Sequence, residues 1–244
     1  MIKAPFILNS NRSKPLFCLI PSLLALVLTA VEASATEIPL RAFTASYNLY
    51  QGGMHVAHTE LSLRREGDSW HWRMTTKPRS VYAWFIRKRP VNETRFARTT
   101  DGFRLLEISI TDEKRPQQQE AASFDWANAR LSVMRKGKRR EIPLDRDVYD
   151  YQSIHLLAAQ MTRDGLRGRS FDFYRKGNLV GAQINSAGTG HVLVQGKRLE
   201  ANIYEQVTTR SRAKVKYYYD VDNPMLPLRI ERLESGETSS LMTL

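Results

Sequence analysis

Apolar and polar residues alternate along most of the chain after residue 42, and this is the period of half-buried β-strands. Leu61 and Leu63 would share one strand face, and Leu106, Ile108 and Ile110 would share another. With turn residues between such segments, the pattern predicts about ten or eleven strands in an antiparallel sheet or barrel. The same alternation recurs in Ala122, Phe124 and Trp126, in Phe171 and Phe173, in Leu226, Leu228 and Ile230, and in Leu199, Ala201, Ile203 and Val207, whose strand carries Glu200, Asn202, Tyr204 and Gln206 on its other side.

One stretch in the middle of the chain, Asp147 to Gly165, has a different period. Its apolar residues recur every three or four positions, which is typical of an amphipathic helix. Asp147 is expected to cap the helix with Asp150 in the first turn, and Gly165 is expected to end it. The helix would be about 16 residues long, and its apolar stripe must be buried against the concave face of the sheet. The stripe contains Val148, Tyr151, Ile154, His155, Leu157, Ala158 and Met161.

A second, short helix is predicted from Ser80 to Ile86, where Val81, Trp84 and Phe85 would form one face. An aromatic patch beside a basic run can rest on a membrane surface. It can equally cover one end of the core, and we favour this interpretation because large aromatic side chains are usually buried. The basic run that follows consists of Arg87, Lys88 and Arg89.

The first 35 residues have the pattern of a secretory signal peptide. A basic start precedes an apolar run from Leu16 to Val31, and Ala33-Ser34-Ala35 follows, so cleavage is expected after Ala35. The run is short for a transmembrane span, so no span is expected to remain. The signal is bacterial in style, and we therefore expect the protein in the periplasm. Residues 36–244 are expected to form a single domain.

The only cysteine, Cys18, lies inside this apolar run. The exported chain would therefore contain no cysteine, although export usually permits disulfides. Its stability must then come from its core alone, and a chain of this length can build one.

The chain is strongly basic, with a formal net charge of +12, and it would keep +10 after residues 1–35 are removed. Export argues against a nucleic-acid partner and favours lipid headgroups, lipopolysaccharide phosphates or acidic polymers. A solvated surface that only keeps the protein soluble is the alternative, because blocks of like charge commonly do no more. The charge clusters in the run 87–89, in Arg135, Lys136, Lys138, Arg139 and Arg140 at an expected hairpin tip, and in Arg210, Arg212, Lys214 and Lys216 along one strand face.

The sequence offers little catalytic or metal-binding chemistry. His55 and His58 are expected on opposite faces of a strand, and His155 is expected to be buried and hydrogen-bonded, so no metal site or cofactor is predicted. No Gly-x-Ser-x-Gly motif is present. Asp145 and Asp150 could act as a base in a hydrolase, but helix capping by Asp147 and Asp150 explains most of this acidic cluster. We therefore expect a protein that is not an enzyme.

The layout resembles the bacterial domain-of-unknown-function family numbered 3108. The resemblance rests on the opening FTASYNLYQGGMHVAHTELSLRREGDSWHWRMTTK, on the DYQSIHLLAAQ helix and on the closing strand PMLPLRIER, and it spans about Phe43 to Arg232. It implies a curved antiparallel half-barrel with helices on its concave side, similar to the periplasmic lipoprotein carriers, in which an apolar cavity receives acyl chains. The family has no catalytic residues to carry over, and fold likeness does not establish a ligand.

Two functions remain open. The first is binding of an apolar or amphipathic, lipid-like ligand between sheet and helix, although a filled core without a cavity is an equally open alternative. The second is binding of an anionic envelope partner through the basic clusters, without a ligand cavity. The residues expected to line the ligand site are Tyr82, Trp84, Phe85, Tyr151, Ile154 and Ala158.

Overall fold

Fifteen strands form one continuous sheet, more than the ten or eleven expected from the sequence. The computed structural model describes residues 38–82, 89–100, 102–112, 114–115 and 119–244, so the predicted cleavage after Ala35 lies outside the described residues. The strands are β1 Phe43–Gln51, β2 Met54–Glu66, β3 Ser69–Pro78, β4 Pro90–Thr99, β5 Gly102–Asp112, β6 Glu120–Asp125, β7 Arg130–Arg135, β8 Lys138–Pro143, β9 Val148–Tyr149, β10 Gly168–Arg175, β11 Asn178–Val194, β12 Lys197–Thr208, β13 Ser211–Asp220, β14 Pro227–Glu234 and β15 Glu237–Thr243.

The sheet consists of two meanders that meet at the first and last strands. One arm runs in sequence order from β1 to β8, and the other runs back from β15 to β10. All these neighbours are antiparallel, and β1 pairs with β15 through Asn48 and Thr243. The edge strand β9 is the exception, because it pairs in parallel with β10. The short loops of a meander account for this simple order.

The extra strands are those with little apolar alternation. Strand β8 reads KRREIP, and its residues are nearly all exposed. Strand β9 has only two residues, both buried. A pattern based on hydrophobic period misses such segments, because they are placed by pairing with a neighbour rather than by an apolar face.

Helix α1 spans Ile154–Asp164, which is shorter than expected. The predicted start at Asp147 is wrong, because Val148 and Tyr149 pair with β10 instead. The predicted end is confirmed, since Gly165 adopts the left-handed conformation and the backbone of the last turn closes on Met161 and Thr162.

The sheet wraps around α1. All eight residues from Ile154 to Met161 are buried. Leu156 and Ala159 pack with the cluster that contains Trp72 of β3, while Leu157 and Ala158 pack with the cluster that contains Tyr219 of β13. A helix that is buried all round belongs inside a core, so the two arms of the sheet enclose it. Among the described residues, no helix is long and apolar enough to cross a membrane.

Strand β12 uses both of its faces. Ala201 packs with Val192, Val194 and Leu228 in a separate apolar cluster. Tyr204, from the side expected to be polar, is buried beside α1 in the main core. The apolar alternation treats tyrosine and glutamine as polar, but both can be buried when their polar atoms are hydrogen-bonded. Tyr204 and Gln206 meet that condition.

The second helix is only a 3₁₀ turn in the described residues, Ser80–Tyr82, and none of its residues is buried. Val81 is 69% exposed, so its expected place in the core is wrong. The predicted site residues Trp84, Phe85, Arg87 and Lys88 lie outside the described residues.

Candidate functional site

An aromatic cluster lies between α1 and the sheet, centred on His155. The Nδ1 atom of His155 is 2.8 Å from the hydroxyl oxygen of Tyr219. The rings of Trp72 and Tyr217 have their centres 5.6 Å and 6.1 Å from the His155 ring. The Tyr217 hydroxyl in turn donates to Oε1 of Gln206 at 2.6 Å. The prediction of a buried, hydrogen-bonded His155 is confirmed.

This cluster disfavours charge of either sign. Burial lowers the pKa of His155 to about 3, and burial also raises the pKa values of Tyr217 and Tyr219. Both directions follow from the cost of holding a charge in an apolar surrounding. His155 is therefore a neutral hydrogen-bonding residue at physiological pH, not an acid–base group in contact with solvent.

Two donors in the same core have no acceptor among the described residues. The hydroxyl of Tyr47 and the Nε1 of Trp72 are fully buried and unpaired. Trp72 contacts the His155 ring. Burial is the main cause of the raised pKa of Tyr219, and the nearby Tyr47 adds a smaller effect in the same direction. Unpaired donors of this kind are uncommon in protein interiors.

The four predicted ligand-lining residues that the structure describes, Tyr82, Tyr151, Ile154 and Ala158, lie in different surroundings. Ile154 and Ala158 are fully buried in the core. Tyr151 precedes the helix and is 48% exposed, with its ring against Phe173, so its place in the buried stripe was predicted wrongly. It lines a notch of about 30 Å³ that includes none of the other predicted residues. Tyr82 is on the surface, where its hydroxyl faces the Met54 sulfur at 3.8 Å.

The predicted basic hairpin is confirmed as the β7–β8 turn. Lys136 and Gly137 form the two-residue turn with φ values of 52° and 72°. Two of its five cations are tied to the protein: Arg135 donates to Oε2 of Glu120 at 2.6 Å, and Arg140 donates to Oδ1 of Asn178 at 2.8 Å. Arg140 thereby joins the β7–β8 hairpin to the β10–β11 hairpin of the other arm.

The other three cations, Lys136, Lys138 and Arg139, form what we call the hairpin tip. In the part of the chain that the structure describes, no carboxylate oxygen lies within 4.0 Å of them. Among the described residues, the hydrogen-bond partner of the Arg139 side chain is the Ser132 hydroxyl, at 3.1 Å. The last predicted contact residue, Arg89, lies elsewhere, where its backbone N–H donates to Asp112 at 3.2 Å.

A groove of about 370 Å³ on the outer surface of β5, β6 and β7 begins beside the hairpin tip. Four residues lie side by side across this part of the sheet. Arg139 is the cross-strand partner of Met134, Met134 is the partner of Ala121, and Ala121 is the partner of Ser109. The small residues form the floor and Met134 is 43% exposed. The sequence pattern could have predicted this groove only with the strand register, because its residues come from four strands.

The second basic cluster is partly neutralised. The Nζ atoms of Lys214 and Lys216 lie 3.8 Å and 3.0 Å from the Glu205 carboxylate. Arg210 lies outside β13, which begins at Ser211. This face therefore offers less free positive charge than the hairpin tip.

The acidic cluster is spread over different structural roles. Asp147 does not cap α1 and instead pairs with Arg169. Oδ1 of Asp150 accepts hydrogen bonds from the backbone N–H groups of Gln152 and Ser153, in the turn before the helix. Asp150 is 4% exposed, which leaves it without an open cleft for a substrate.

His55 and His58 share one side of β2, so the prediction of opposite faces is wrong. The β1–β2 register shifts between Leu49 and Tyr50, so β2 has one extra residue there. The two rings meet edge to face with their centres 4.6 Å apart. Nε2 of His55 is 3.1 Å from the Ala57 carbonyl oxygen, and Arg79 is 3.5 Å from Nδ1. Burial, Arg79 and His58 all lower the pKa of His55.

In the described residues there is no group of three or more His, Cys, Asp or Glu that could hold a metal ion.

The model of the protein family of unknown function DUF3108 matches residues 46–240. The chain belongs to the DUF3108 family. Among solved structures, this DUF3108 chain is similar to a β-barrel-like protein of domain of unknown function DUF1849 from Brucella abortus, with a TM-score of 0.55 and 11% sequence identity. The match covers 85% of this chain and 97% of that one, and at this identity it shows the fold alone. No curated protein was found to be similar to the chain.

Proposed function

We propose that this DUF3108 protein is a non-enzymatic protein of the bacterial envelope that binds an anionic envelope component through its hairpin tip. The observation that carries the proposal is the group of three exposed cations that have no carboxylate neighbour in the described part of the chain. The periplasmic location follows from the sequence of the first 35 residues and is part of the proposal.

The geometry supports a binding role for the tip better than a role in stability. Arg135 and Arg140 already have structural partners, whereas Lys136 and Lys138 project from the turn and its first strand residue. The three cations of the tip carry the same charge on one hairpin, and like charges repel one another rather than stabilise the fold. An anion that neutralises them would relieve that repulsion.

The test is binding to vesicles of phosphatidylglycerol and phosphatidylcholine, measured by co-sedimentation at low and high salt. Each cation near an anionic membrane surface contributes about 1 kcal/mol to the free energy of binding. The triple variant K136Q/K138Q/R139Q is therefore expected to weaken binding by roughly a hundredfold, and salt should weaken wild-type binding.

A matched control removes three exposed cations elsewhere. R64Q/K197Q/R198Q has the same net charge as the tip variant, and all three residues are exposed. If both triple variants lose the same affinity, binding depends on net charge alone and the proposed site is incorrect. An acidic polysaccharide in place of vesicles distinguishes a lipid from a polymer.

A second candidate function is binding of an amphipathic ligand between the sheet and α1. The unpaired donors of Tyr47 and Trp72 favour it, because a ligand oxygen could accept from them. The full burial of Ile154 and Ala158 means that such a ligand would have to displace part of α1. Native mass spectrometry of protein purified from a periplasm tests this candidate. An absence of lipid-sized adducts, together with an extract free of copurified lipid, would rule it out.

A further inference from the structure

We infer that β8 is a docking edge for an extended acidic polypeptide segment, which would join the sheet as a sixteenth strand. This inference rests on the proposed function, because the hairpin tip supplies the charge that attracts the segment. It names the partner as a peptide rather than a lipid or a polysaccharide.

Among the described residues, strand β8 ends one arm of the sheet and pairs with a neighbour, β7, on one side only. Five of its six residues are exposed. The other edge, β9, has two residues that are both buried. Of the two edges, β8 is therefore the one that a further strand can reach.

The register shows which backbone groups face outward. Lys136 and Gly137 form a two-residue turn with positive φ at both positions, so Arg135 and Lys138 are the hydrogen-bonded pair that closes the hairpin. Hydrogen-bonded positions alternate along an antiparallel pair. Residues 140 and 142 thus bond to β7, and the N–H groups of residues 139 and 141 point away from the sheet. No other backbone hydrogen bond among the described residues uses these two groups.

The charge of the edge selects the partner. The β7–β8 hairpin, residues 130–143, contains six Lys or Arg side chains and one acid, Glu141. A second copy of the chain would bring the same positive charge to the edge and would be repelled, as edge strands rich in cations usually are. An acidic segment gains the charge attraction and the two backbone donors together, which is the recognition mode of β-strand addition.

Two variants at one position test the edge directly. Glu141→Pro removes the outward N–H but no ladder bond, and proline is tolerated at such edge positions. Glu141→Gln removes the same negative charge and keeps the N–H, so it is the matched control. The probe is a synthetic peptide of alternating Glu and Thr, measured by fluorescence anisotropy. We expect E141Q to bind at least as tightly as the wild type and E141P to bind at least tenfold more weakly than E141Q.

The peptide provides an arm that leaves the protein unchanged. N-methylation of alternate residues blocks strand pairing and keeps every carboxylate, and it is expected to weaken binding to the wild-type protein by at least tenfold. Equal binding of the methylated and plain peptides, or of E141P and E141Q, would overturn the docking edge.

The same measurements separate this inference from the proposed function. If K136Q/K138Q/R139Q weakens vesicle binding while peptide methylation has no effect, the tip binds anions but β8 is not a docking edge. If the triple variant changes neither vesicle nor peptide binding, the proposed function and this inference both fail.

Discussion

His155 shows how one side chain can make stability depend on pH. It is 2% exposed, and its polar contact is with the uncharged hydroxyl of Tyr219. Burial lowers its folded-state pKa to about 3, whereas an unfolded histidine titrates near about 6.5. Between these values the unfolded chain binds a proton that the folded chain does not. The free energy of unfolding therefore falls as pH decreases from about 6.5 towards about 3.

The variant His155→Gln should remove this dependence. Below about pH 6.5, the free energy of unfolding of the wild type should fall more steeply than that of the variant, by up to about 1.4 kcal/mol per pH unit. Urea unfolding at a series of pH values from neutral to acidic measures it. The control is Thr44→Val at an exposed position of β1, which changes no titrating group and should keep the wild-type dependence. Parallel curves for the wild type and H155Q would contradict the assignment.

Residue-level predictions from the sequence succeeded where local chemistry decides the outcome. Gly165 ends α1 because its left-handed φ of 63° suits glycine. They failed where a distant partner decides it. Asp147 has the chemistry of a helix cap, but Arg169 on β10 takes its carboxylate. The side of β2 occupied by His58 depends on a bulge in the β1–β2 pairing, which the spacing of the two histidines does not reveal.

At the scale of elements, α1 is the part of the fold that the sequence predicts most fully, and only its start is predicted wrongly. Its existence, its C-terminal end and its burial are confirmed. Its start is late because Val148 and Tyr149 join the sheet, and a helical period of apolar residues cannot exclude a parallel pairing with β10. Tyr151 falls in the turn between the two, which explains its exposure.

The packing of α1 can be tested with a single truncation. Leu157 is fully buried between α1 and the second arm of the sheet, where it packs with residues of β10 to β13. Leu157→Ala should lower the free energy of unfolding by about 2–5 kcal/mol, since removal of a buried leucine leaves a cavity. Chemical denaturation followed by far-UV circular dichroism measures the change.

Arg163→Ala on the same helix is the control for that truncation. Arg163 pairs with the neighbouring Asp164 near the surface, and such pairs contribute about 0–1 kcal/mol. A loss for L157A that is no larger than the loss for R163A would mean that α1 is not enclosed by the two arms.

On the scale of the whole molecule, polar contacts hold the turn before α1 to the first arm. The Thr94 hydroxyl on β4 lies 2.5 Å from Oδ2 of Asp150 and 2.6 Å from Oε1 of Gln152. The side chain of Gln152 also donates to the Asn92 carbonyl at 2.8 Å. The turn follows β9, which is attached to the second arm through its pairing with β10. These contacts therefore join the two arms away from the β1–β15 ladder.

Thr94→Val should open this contact without changing the shape of the side chain. We expect a loss of about 1–3 kcal/mol in the free energy of unfolding, because two buried acceptors would lose their shared donor. Thermal unfolding measures the loss, and Thr44→Val at an exposed site of β1 is the control. If T94V and T44V are equally stable, the contact does not hold the arms together.

The pairing of β1 with β15 has a consequence for the order of folding. Every other antiparallel pair of neighbouring strands is joined by a connection of no more than 11 residues, so each can form as a local hairpin. The β1–β15 ladder must wait for the last residues, and closing so long a loop is slow. Because this ladder also brings the first and last strands side by side, a circular permutant that joins them and opens at Gly137 would make β1–β15 a local hairpin. The β7–β8 pairing would then be the one that must wait for the end of the chain.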